Sequence, residues 1–130
     1  MEKQDFIGRP ANETLDCHVR ALTVASGRPY PEVHALFKAA GRKDGHRTKG
    51  HVTVLVAGKL GLRLINTRPI KFGDTKTKRV TVTKFLNDVE HVELCAAFIR
   101  GHGFGVTKGV VADFVAVSPR AIVTCWAVPR

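Results

Sequence analysis

The apolar residues of this chain change their spacing along its length, and that change limits the folds open to it. In the first half they recur every three to four residues, as the buried face of a helix does. In the last third they run in short stretches broken by glycine, proline and polar turns, as strands do. Helices first and strands afterwards, rather than in alternation, predict an α+β fold. N-terminal helices would pack on a C-terminal antiparallel sheet of about four strands. At 130 residues this is one domain, 1–130, long enough to bury a core without disulfide or metal staples.

A first helix is predicted from residue 17, with Asp16 as N-cap and Ser26-Gly27 as the stop. A second follows Pro29-Tyr30-Pro31 and runs over 32–40 to Gly41. Residues 41–50 hold three glycines and no large apolar side chain, which reads as a loop with nothing to place in a core. Residues 51–60 fit a helix, although their β-branched content also allows a strand; 62–66 alternates as a strand, and 82–87 reads as a short helix capped by Thr81 or Thr83. Strands are expected over 92–99, 101–106, 110–117 and 121–128, with Lys108-Gly109 turning the chain between the second and third.

That turn fixes a register. If it is a two-residue hairpin, His102 stands opposite Val115 and diagonal to Asp113, with backbones about 7–8 Å apart, so a His and an Asp on one face can meet. Cys17, in turn, falls in the first turn of the first helix, where unpaired backbone N–H groups and the helix dipole favour thiolate over thiol. A thiolate nucleophile needs an imidazole, and the imidazole needs an orienting partner. Cys17, His102 and Asp113 supply those three residue types in chain order.

The segments carrying these residues are Asp-Cys-His-Val-Arg-Ala-Leu-Thr-Val-Ala-Ser-Gly-Arg-Pro-Tyr (16–30), Thr-Lys-Phe-Leu (83–86) and Gly-His-Gly-Phe-Gly-Val-Thr-Lys-Gly-Val-Val-Ala-Asp (101–113). Together they resemble the small papain-like cysteine peptidase domains of uncharacterised phage and bacterial proteins, across most of the chain and in the same order. The resemblance implies a minimal papain-like core cleaving a peptide or isopeptide bond, with Cys17 as nucleophile, His102 as general base and acid, and Asp113 as orienter. The glutamine that such enzymes place six residues before the cysteine is Ala11 here, and Asn12 offers the amide that would help the Cys17 N–H stabilise an oxyanion. Asp16 sets a negative charge beside the nucleophile, which raises a thiol pKa unless its carboxylate is occupied as the cap. Gly103 and Gly105 are poor strand formers and mark a bulge or a close backbone approach. His18, one residue past the cysteine, should point elsewhere by helical geometry.

The 21 Lys and Arg against 11 Asp and Glu, a formal charge of +10, favour an anionic partner. Two basic stretches concentrate it: Arg42, Lys43, Arg47 and Lys49 around Asp44, and Lys71, Lys76, Lys78 and Arg79 around Asp74. The alternative function is therefore a catalytically inactive basic module that binds nucleic acid or an acidic protein partner through these loops, as a phage virion or host-interaction protein. Without stacking aromatics or a nucleic-acid-binding motif, such binding would be phosphate contact with little sequence preference. No apolar stretch approaches the ~20 residues of a membrane span, and residues 1–10 lack the apolar core of an export signal. Cys17, Cys95 and Cys125 fit no zinc spacing, and His46 with His51 makes no metal site. The expectation is a soluble protein with reduced thiols and no cofactor or metal, in the cytoplasm, or in the host cytoplasm or virion if phage-encoded.

Overall fold

A computed structural model describes residues 6–67 and 79–130. Among these residues the chain forms α1 (Cys17–Ser26), α2 (Tyr30–Ala39), α3 (Gly50–Lys59), β1 (Leu62–Asn66), α4 (Val82–Asp88), β2 (Leu94–Ile99), β3 (His102–Thr107), β4 (Val110–Ala112) and β5 (Cys125–Pro129). The fold is α+β. Four strands come from the last third, and β1 joins them at one edge, giving an antiparallel sheet in the order β1-β5-β2-β3-β4.

Local chemistry accounts for most boundaries. Gly27 closes α1 in the left-handed conformation, φ 69°, donating its N–H back to Thr23 and Val24. Thr81 caps α4 by accepting the Lys84 N–H at 3.2 Å. Lys108 and Gly109 both take positive φ, 48° and 77°, as a two-residue hairpin requires. They set Thr107 opposite Val110 and Gly105 opposite Ala112, the register read from the sequence.

Alternation along the strands divides the core in two. Ala96 and Phe98 face α1 to α3, with Val19, Leu22, Val33, Phe37 and Val56, while Cys95, Ala97, Phe104 and Val106 face α4 and Val123 on the opposite side of the sheet. The helix α1 lies directly on β3. A Cβ on Gly105 would stand 2.3–2.7 Å from three Val24 side-chain atoms, and one on Gly103 would stand under 3 Å from the Phe98 ring. The two strand glycines therefore mark close approach rather than a bulge.

Three strands are shorter than their patterns predict, β2 only by its first two residues. β4 stops at Ala112 instead of reaching residue 117, so His102 has no partner at Val115 and pairs with Ile99 of β2. Asp113 causes the departure: its Oδ1 accepts the Phe114 N–H at 2.8 Å and an Arg20 N–H, which turns the chain off the sheet toward α1. Residues 118–121 form a turn, closed by Ala121 N–H to Ser118 O, and β5 starts only at Cys125.

Candidate active site

Cys17 is the first residue of α1, which leaves its backbone N–H outside the helical ladder. Because α1 rests on β3, that end of the helix meets the start of the strand, where His102 stands. Cys17 and His102 line one cleft of about 300 Å³, together with His18, Arg47, Thr48, Leu15 and Val115. Across the ring, His102 Nε2 faces Asp113 Oδ2 at 3.6 Å; among the described residues neither atom has a hydrogen-bond partner, and the gap is ion-pair distance.

The electrostatics single out one of three free thiols. Burial pushes Cys95 up to about 12 and raises Cys125, the latter partly offset by the Ile65 N–H. Burial also acts on Cys17, but the His102 imidazole and the Gly103 N–H at its sulfur outweigh it, and the net shift is downward. His102 rises to about 9, through the Asp113 carboxylate first and the Cys17 sulfur second, against its own burial. Both shifts run toward the thiolate–imidazolium pair.

Asp113 is 1% exposed and held by α1. Arg20, one turn beyond the cysteine, donates from Nη1 to Asp113 Oδ1 and from Nε to Asp16 Oδ1 at 3.1 Å, with its guanidinium 4.1 Å from the centre of the Phe114 ring. Asp16 also accepts from Arg9 Nε and from the Tyr30 hydroxyl, each at 2.7 Å. The expectation of Asp16 as a side-chain N-cap is thus corrected: it makes no cap bond and lies buried among two guanidiniums and a phenol. Burial raises its pKa, the Arg9 and Tyr30 hydrogen bonds lower it further than that, and its charge is spoken for.

A second buried carboxylate, Glu13, accepts from Arg42 Nη1 at 2.5 Å and Nη2 at 3.0 Å, from the Gly45 N–H at 2.5 Å and from His34 Nε2 at 2.8 Å. This corrects the reading of residues 41–50 as a loop with nothing inside, and removes Arg42 from the anion-binding set: it is buried against Glu13. Lys43, Arg47, Lys49 and Arg79 are exposed, and Arg47 reaches the cleft; Lys71, Lys76 and Lys78 lie outside the described residues. Glu13, His34 and Asp44 bring ligand atoms within 4.8 Å of one another, a spacing that suits a cation, but Arg42 already occupies both Glu13 oxygens.

Two further placements differ from expectation. Asn12 is exposed and does not line the cleft, so its amide is not at the sulfur. His18 does line it, because the cleft wraps around the first turn of α1. Sequence reasoning passed over Arg20, Arg9, Tyr30, Glu13 and His34; the signal for Arg20 was its place four residues after Asp16, the spacing of a helical ion pair. Among the described residues no helix is long and apolar enough to cross a membrane. The chain matches no protein-family model, no curated protein and no solved structure.

Proposed function

We propose that the protein is a thiol hydrolase of papain-like type that cleaves a peptide or isopeptide bond through Cys17, His102 and Asp113. One observation carries this reading: of three free thiols only Cys17 is pulled below its ordinary pKa, and the group that pulls it is an imidazole backed by a buried carboxylate. In the reaction the thiolate attacks the carbonyl carbon, and the π pair moves onto oxygen beside the Cys17 N–H. Collapse breaks the C–N bond as the His102 imidazolium protonates the leaving amine, leaving a thioester. His102, now neutral, takes a proton from water, and the resulting hydroxide equivalent releases the acid and restores the thiolate.

Iodoacetamide labelling at pH 7, mapped by mass spectrometry, tests the nucleophile. Cys17 should label at least tenfold faster than Cys125, and Cys17→Ala should abolish both the fast phase and turnover of a fluorogenic peptide library. Equal rates at Cys17 and Cys125, or a fast phase that survives Cys17→Ala, would overturn the assignment. The competing reading, a basic module engaging nucleic acid or an acidic protein, draws on the +10 charge and the exposed Lys43, Arg47 and Lys49. Binding of that kind fades steeply with salt, whereas thiol reactivity does not.

A further inference from the structure

We propose that His18 supplies the side-chain hydrogen bond to the oxyanion formed when Cys17 attacks a carbonyl; this rests on the thiol hydrolase reading above. The residues at and next to the place of the usual glutamine do not fill that role, since Ala11 has no amide and Asn12 stands outside the cleft. His18 follows the nucleophile on α1 and lines the same cleft.

Its ring is fixed on three sides. Nδ1 lies 2.7 Å from Thr53 Oγ1, and the Phe98 ring packs edge-on with centroids 5.0 Å apart. At Gly103 a Cβ would stand 3.3 Å from His18 Cδ2, so the glycine lets the Cδ2–Nε2 edge approach the backbone whose N–H reaches the Cys17 sulfur. Thr53 also decides the tautomer. It is 5% exposed and, among the described residues, its hydroxyl has no partner but this ring, so the hydroxyl donates to Nδ1 and the ring carries its proton on Nε2. Burial first, then the charges of His102 and Arg42, depress His18 to about 4, which keeps it neutral at working pH. A neutral, immobilised N–H donor stabilises a developing oxyanion without competing with His102 as a proton source.

Two probes of Cys17 separate this role from the nucleophile's. Iodoacetamide is displaced at carbon with no oxyanion, whereas acylation by p-nitrophenyl acetate passes through one. His18→Phe keeps a ring against Phe98 and removes the donor. Its acylation rate should fall roughly 100-fold while alkylation stays within about threefold, and His18→Gln, which returns an N–H near Nε2, should recover at least about tenfold. Should His18→Phe fail to fold, Thr53→Val decides instead: losing the hydroxyl unsets the tautomer and should slow acylation about tenfold with alkylation intact. Unchanged acylation in the variant that folds, or an equal fall with both probes, overturns the inference. A wild-type protein whose Cys17 resists both reagents overturns the hydrolase reading itself and is recognisable as that separate failure.

Discussion

Asp16 and Glu13 sit three residues apart before α1, both sealed from solvent and both neutralised by arginine, yet their partners lead to different places. Through Arg20, Asp16 is joined to Asp113 on the far side of the sequence and so to His102. Through Arg42 and the Gly45 N–H, Glu13 holds the loop whose Arg47 and Thr48 wall the cleft. A buried ion pair rarely stabilises a fold more than apolar packing would, because two charges must be stripped of water. Its use lies in the fixed geometry it imposes. On the proposed reading, one carboxylate orients the groups that would activate the thiol, and the other shapes the space in front of it.

The largest expected effect breaks the two apart. Arg20→Met takes the arginine from buried Asp113, while Asp16 keeps Arg9 and Tyr30, and Glu13→Gln strands a buried guanidinium, so each should cost about 3–5 kcal/mol in chemical denaturation. Only Arg20→Met should also slow Cys17 acylation per folded molecule, on the order of 100-fold, since Asp113 loses the contact that aims it at His102. Equal losses in both variants would erase the distinction.

A smaller effect concerns pH. His102 is raised to about 9 in the folded protein from an ordinary value near 6.5. Its contribution to stability is therefore fully present below about 6.5 and lost as pH rises through about 9. Hydrolysis, which needs the imidazolium, should decline over that same upper limb. His102→Ala should return the Cys17 thiol toward its ordinary titration, lowering the alkylation rate at pH 6.5 about tenfold, while Glu13→Gln leaves the rate–pH curve in place. A profile unmoved by His102→Ala would detach the imidazole from the thiol. Least of all, Arg47→Ala should leave stability within about 0.5 kcal/mol and alter only the discrimination between acidic and neutral peptides, by a few-fold, read from kcat/KM.

The features written in local sequence were the legible ones. A two-residue turn at Lys108-Gly109 admits one register, and the spacing of Val19, Leu22 and Val24 or Ala25 before Ser26-Gly27 marks a helix, so the hairpin and α1 could be drawn beforehand, although α1 is buried all round over 19–25. The same register carried β4 too far, because Asp113 obeys Arg20, a residue 93 positions away, rather than the pattern of its neighbours. Arg42 misled for a like reason. Among glycines a charged side chain reads as solvated, and nothing nearby announces that Glu13, 29 residues earlier, encloses it. At the site, the three residue types and their order were readable. The wiring behind them, Arg20 and Asp16 above all, joins groups too distant for any periodicity to reveal, save for the four-residue interval between those two.

The placement of Cys17 near the beginning of the chain and of its activating groups some 85 to 96 residues later has a biosynthetic consequence. On the ribosome, α1 can emerge and coil while His102 and Asp113 are still untranslated, and during that interval its thiol titrates like any other. The groups that shift it arrive only when the hairpin docks. On the hydrolase reading proposed above, the nascent polypeptide is latent until its final strands are in place.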